Sequence, residues 1–109
     1  MQGGKPIFEH QNIKGKLFRM FARVEAARSL ARRVMIYNST QPPVVQYSIA
    51  SKTFCTQTAF DVASDAVQIY GGNGLSREYP VEKLLRDARA SMIEDGCNDL
   101  LGLVAVDRL

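Results

Sequence analysis

The chain has 109 residues, enough for one domain, whereas two would each be too small to bury a core without disulfides or metal. Its residues are 46% hydrophobic and 23% charged, a globular balance that excludes a disordered or collagen-like chain. Fourteen basic against eleven acidic residues leave a net charge of +3, too mild to favour nucleic acid or a membrane surface as partner.

No apolar run approaches the roughly 18 residues that a membrane span needs, and the start carries no signal-peptide pattern. A soluble domain of a reducing compartment is expected. Cys55 and Cys97 have no neighbouring Cys or His, so neither a zinc site nor a disulfide framework is predicted, and both thiols read as small packed hydrophobes. The single His10 cannot anchor a multi-histidine metal site. No metal is expected.

Helical spacing dominates the first half. Ile13, Leu17, Met20, Phe21, Val24, Ala27, Ala31 and Val34 follow steps of three and four, which predicts a helix over residues 10–37 with one apolar stripe. Lys14, Lys16, Arg19, Arg23, Arg28, Arg32 and Arg33 occupy much of the remaining circumference. That cluster reads as a solvated basic face, with contact to a cofactor phosphate across a subunit interface as the alternative. Residues 38–43, ending in two prolines, read as a loop.

A second long helix is predicted over 44–70, with Ile49, Phe54, Ala59, Phe60, Ala63 and Val67 as its stripe. Its many small residues permit close helix approach, in a bundle interior or a subunit interface. Gly71-Gly72-Asn73-Gly74 supplies the stop. Pro80 suits the first position of a short helix running to Arg89. Asp95-Gly96 breaks the chain again before a last helix over 98–109, whose packing candidates are Leu100, Leu101, Leu103 and Val104. No run alternates with period two. The predicted architecture is all-α, an up-down helical bundle with short loops.

Three motifs then occur in order: Ala66-Val-Gln-Ile-Tyr-Gly-Gly-Asn-Gly74, Glu78-Tyr-Pro-Val-Glu-Lys83 and Arg86-Asp-Ala88. Together with Gly4-Lys5 and Glu9-His-Gln11 upstream and Ile93-Glu-Asp-Gly96 downstream, they closely resemble the C-terminal helical domain of the acyl-CoA dehydrogenase family. The resemblance runs in register along nearly the whole chain. It implies that residues 1–109 are one part of a longer flavoenzyme, with the first bundle helix and the two preceding domains missing. The chain is then expected to be a fragment or one piece of a split protein. Its compartment would be the cytoplasm of a bacterium or archaeon, or the mitochondrial matrix of a eukaryote.

The resemblance also implies FAD as cofactor and an acyl-CoA thioester as substrate. A carboxylate would remove the proton next to the thioester carbonyl while hydride passes from the β-carbon to flavin. Electron-transfer flavoprotein is the implied acceptor, and self-association to a dimer or tetramer the implied assembly. Gln68, Ile69, Tyr70, Gly71 and Gly72 would bind the nucleotide side of a neighbouring subunit's FAD, with Gln11 as a further contact. Cys97, Asn98 and Asp99 would face the flavin, and Gly96 the substrate. On the residues alone, Gln68–Gly72 is a plain helix end, Gln11 an exposed amide, and Asn98 or Asp99 a simple N-cap.

Adjacent residues on a helix do not face one another, so Arg86 and Asp87 are not expected to pair. Both are read as structural, anchoring the loop that carries the base. Aligning Arg86-Asp-Ala88 and Gly96 without a gap puts Asp95 where most of the family has its catalytic glutamate. Glu94 is the alternative base, and a third possibility is that Asp95 only caps the following helix. A related flavin-dependent oxidase and a non-catalytic association module remain open as functions.

Overall fold

The computed structural model describes residues 11–71, 80–94 and 96–109. Among them the chain forms α1 (Gln11–Thr40), α2 (Val45–Tyr70), α3 (Pro80–Ser91) and α4 (Asn98–Val106), with no strand. The expectation of an all-α domain is met.

Helix α1 runs three residues further than its apolar stripe suggests. Ser39 Oγ and Thr40 Oγ1 donate to the Ile36 carbonyl at 2.7 and 3.2 Å, which satisfies helix-end groups that would otherwise need water. Pro42 then biases Gln41 out of the helical region, so the helix stops at Thr40 rather than before Asn38. At the far end of the chain, α4 closes at Val106.

Helix α2 is the hub: α1, α3 and α4 each pack on it, and no other pair of helices touches among the described residues. Residue pairs along the α1–α2 seam run in opposite senses. Arg23 meets Asp65 at 3.4 Å, Cys55 Sγ donates to the Ala27 carbonyl at 3.3 Å, and Tyr37 stacks edge-on against Tyr47 at 5.3 Å. The two helices therefore form an antiparallel hairpin. Helices α3 and α4 follow one another along α2, both antiparallel to it. Arg89 lies over the Phe60 ring, Asn98 bonds to Thr56, and the Arg108 carbonyl accepts from Gln46 Nε2 at 3.1 Å. The result is three columns, one of them broken at residues 92–97, in a body of 56 × 23 × 21 Å.

The threonines of α2 can sit at packed positions because their hydroxyls turn back on their own helix. Thr53 Oγ1 donates to the Ile49 carbonyl at 2.9 Å and Thr56 Oγ1 to the Lys52 carbonyl at 2.7 Å. The buried set is small: Val34, Ile49, Thr58, Ala63, Val81 and Ala88. Much of the expected packing is therefore absent from this chain. Phe21 is 60% exposed and Phe54 also lies at the surface, and of the four candidates in α4, Leu100, Leu103 and Val104 are exposed while only Leu101 is half-buried. Three columns cannot surround every apolar face that a larger bundle would cover.

An apolar groove of about 300 Å³ along Val24, Ala59, Ala63, Ala66, Val81 and Leu84 stays open for the same reason. Exposed apolar surface on this scale drives association. Light scattering on the purified chain at tens of micromolar is expected to give at least a dimer; a strictly monomeric mass contradicts this.

Candidate functional site

The site residues expected from the sequence fall into two groups at different heights on α2. The first lies at the open end of the α1–α2 hairpin. Because the helices are antiparallel, Gln11 at the start of α1 and Gln68–Gly71 at the end of α2 share that end. Gln11, Gln68 and Tyr70 are exposed, and Ile69 is half-buried.

Gly71 closes α2 with φ 64° and ψ −137°, a left-handed conformation that favours glycine, and donates its N–H to the Gln68 carbonyl. That amide is thus used in the helix cap. What Gly71 offers is space: a Cβ placed on it would meet nothing within 4 Å. Gly72 lies outside the described residues. The side-chain amides of Gln11 and Gln68, each both donor and acceptor, suit hydroxyl, ring-nitrogen and phosphate groups of a nucleotide approaching this open end.

The second group sits in the break between α3 and α4. The backbone first continues α3 as a tightening turn, with the amides of Ile93 and Glu94 both donating to the Ala90 carbonyl at 3.0 Å. The Glu94 side chain is exposed. Asp95 lies outside the described residues. Gly96 has φ 107°, and a Cβ there would come within 3.1 Å of Leu101 Cδ2, so this position tolerates only glycine without rearrangement. Cys97 is the N-cap of α4 through its backbone alone, with φ −64° and ψ 137° and no side-chain cap bond. Asp99 is exposed in the first turn, where a carboxylate complements the helix dipole.

Asn98 corrects its reading as an N-cap. It is the first residue inside α4, and its side chain turns away from the helix end toward α2. Asn98 Oδ1 accepts from Lys52 Nζ at 2.6 Å, and Asn98 Nδ2 donates to Thr56 Oγ1 at 2.9 Å. Lys52 Nζ also donates to the Gly96 carbonyl at 2.9 Å. Neither Lys52 nor Thr56 was marked by the sequence. The available signal was that Lys52 is the one basic residue in the 26 residues of α2.

Arg86 and Asp87 do not pair with each other, as expected. Arg86 Nε meets Glu82 Oε1 at 2.8 Å and Lys83 Nζ meets Asp87 Oδ2 at 2.7 Å, one turn apart on α3. These contacts stiffen α3 itself; neither reaches the turn at 92–97, so the anchoring role assigned to the two residues passes to Lys52. On α1, Arg23, Arg28 and Arg33 are engaged within the chain, by Asp65, Glu25 and the Tyr47 ring. Among the described residues no group of three His, Cys, Asp or Glu could hold a metal, and no helix is long and apolar enough to cross a membrane.

From Lys52 to Gln68 the helix rises about 24 Å, so the two groups of residues address different regions of anything bound to the domain. Residues 1–109 match the model of the acyl-CoA dehydrogenase C-terminal domain. An acyl-CoA dehydrogenase of Bacillus subtilis is 39% identical over 104 residues, which covers 95% of this chain and 27% of the relative. Cyclohexane-1-carbonyl-CoA dehydrogenase of Geobacter metallireducens is 33% identical over 101 residues, covering 93% of this chain and 27% of the relative. The solved structure of butyryl-CoA dehydrogenase from Megasphaera elsdenii superposes with a TM-score of 0.91 at 35% identity, covering 98% of this chain and 28% of that one.

The chain belongs to the acyl-CoA dehydrogenase family, to its C-terminal domain. It spans about a quarter of the length of the relatives it matches.

Proposed function

We propose that this chain is the C-terminal domain of an FAD-dependent acyl-CoA dehydrogenase that converts an acyl-CoA thioester to its enoyl form. The observation that carries the reading is the match of residues 1–109 to the family's C-terminal domain, and the resemblance of Arg86-Asp-Ala88 and Gly96 to family motifs supports taking Glu94-Asp95-Gly96 as the carboxylate segment. Asp95 is the base in this reading. Its carboxylate takes the proton from the α-carbon, next to the thioester carbonyl, where the resulting charge is delocalised. Bound FAD supplies the acceptor for the hydride that leaves the β-carbon as the α,β double bond forms.

The rest of the chain binds and orients. Gln11 and Gln68–Gly72 hold the nucleotide side of the FAD of a neighbouring subunit, a role supported by the exposed amides and the open space at Gly71. Cys97, Asn98 and Asp99 line the flavin side, and Gly96, which leaves room by having no side chain, the substrate side. The distance between the two groups along α2 supports giving them different regions of the dinucleotide. Electron-transfer flavoprotein is the acceptor in this reading, and the exposed apolar faces support assembly into a dimer or tetramer.

The relatives act on different acyl groups, one straight and one cyclic by their names. Butyryl-CoA and cyclohexane-1-carbonyl-CoA are therefore the probes to use. The full-length protein carrying this chain, mixed anaerobically with each, is expected to lose its oxidised-flavin absorbance with at least one. No bleaching with either, or with a panel of longer and branched acyl-CoA thioesters, overturns the reading.

A further inference from the structure

We propose that Lys52 is a positioning residue: its ammonium, through Gly96 and Asn98, fixes the turn that carries the Glu94-Asp95 carboxylates. This rests on the dehydrogenase reading above, and extends it to a residue distant in sequence from every motif of the site. Lys52 stands two turns into α2, opposite the break in the third column. Its Nζ donates 2.9 Å to the Gly96 carbonyl and 2.6 Å to Asn98 Oδ1. The second distance is in the short range of charge-assisted bonds. Asn98 in turn donates to Thr56 Oγ1 at 2.9 Å, and Thr56 Oγ1 donates back to the Lys52 carbonyl at 2.7 Å. The turn is thus tied to one stretch of α2 by two side chains one helical turn apart.

The turn needs such a tie. Among the described residues its backbone makes few bonds of its own: beyond the last turn of α3, the Asn98 amide donates to the Met92 carbonyl at 3.0 Å, spanning residues 92–98. Gly96, with its positive φ, has no side chain to hold the loop. Lys52 is half-buried and its bond to Asn98 Oδ1 is partly shielded, so water does not fully replace the ammonium at that acceptor when it is removed. Arg86 and Asp87, which sequence reading had made the anchors, are occupied within α3. Proton abstraction depends on the base being held at hydrogen-bond distance, and a misplacement of about 1 Å costs about 10²-fold in rate.

The test uses the full-length protein and four variants, Lys52→Met, Thr56→Val, Asp95→Asn and Glu94→Gln. Methionine keeps the stem of Lys52 and removes the donor; valine keeps the shape of Thr56 and removes the acceptor. Hydrogen exchange of the peptide covering 92–101 is read alongside stopped-flow flavin reduction by the acyl-CoA probe that bleaches the parent. For Lys52→Met we expect faster exchange at 92–98, unchanged exchange along the α1–α2 seam, unchanged flavin content, and a limiting reduction rate lowered about 10²-fold at an unaltered apparent acyl-CoA dissociation constant. Thr56→Val shifts both readouts in the same direction by less, and carries the test if Lys52→Met does not fold. Faster exchange with an unaltered limiting rate makes the tie structural only and overturns the proposal. Unaltered exchange and rate overturn it too, while Asp95→Asn still loses turnover. If Asp95→Asn and Glu94→Gln both reduce flavin at the parent rate, it is the reading of the carboxylate segment that fails, whatever the exchange shows.

Discussion

Asp95→Asn in the full-length protein is expected to slow flavin reduction by acyl-CoA by between about 10² and 10⁴-fold, the range that a positioned general base supplies. Glu94→Gln is expected to change it less than tenfold. The proposal takes Asp95 rather than Glu94 because the resemblance, aligned without a gap from Arg86-Asp87-Ala88 to Gly96, implies that Asp95 holds the family's base position. Glu94 also lies in the turn that continues α3: its amide bonds to the Ala90 carbonyl and its side chain is exposed. Aspartate is one methylene shorter than the family's usual glutamate, so its carboxylate reaches about 1.5 Å less from the same backbone. A substrate held deeper, or one whose acyl group is a ring, would bring the α-carbon to it. Asp95→Asn at full rate together with an inactive Glu94→Gln would reverse the assignment.

Expressed by itself, the 109-residue chain is expected to be colourless and unable to oxidise any acyl-CoA. The carboxylate accelerates proton removal only where the thioester and the flavin ring are held against it, and that positioning is worth about 7–11 kcal/mol. This chain spans 27% of the B. subtilis relative, and its own helices leave an apolar groove open and Phe18 68% exposed. Such a surface covers other protein; it does not enclose a ligand. Absorbance at the flavin bands after purification, and an acyl-CoA oxidation assay with an added acceptor, check this. Stoichiometric flavin with measurable turnover sinks it.

The two groups of candidate residues differ in how far the sequence reached. The helix end at Gly71 is legible because a glycine run after an apolar helix is a local signal, and the structure gives Gly71 a positive φ that favours glycine. For Asn98 the same kind of local rule, a polar residue at a helix start, predicts a cap as the alternative to a flavin contact, and that cap does not form. The competing partner, Lys52, is 46 residues away in the chain and wins because a charged donor at 2.6 Å is a stronger bond than a cap to a backbone amide.

The elements themselves follow from short-range sterics and periodicity, and the amino-acid order determined them nearly to the residue. Two prolines end α1, Gly71 ends α2, Pro80 begins α3, and Gly96 with its positive φ parts α3 from α4. Each of these constraints acts on the backbone within a residue or two and needs nothing from the rest of the fold. Which apolar residues are buried is a different matter. The stripe on α1 runs through eight positions, yet only Val34 is buried, because burial requires a neighbour and α2 alone packs against α1. The same holds for Leu100 and Leu103, and for the tie from Lys52 to the turn at Gly96. A side chain's partner is set by which helices lie side by side, and that information exists only once the three columns have packed.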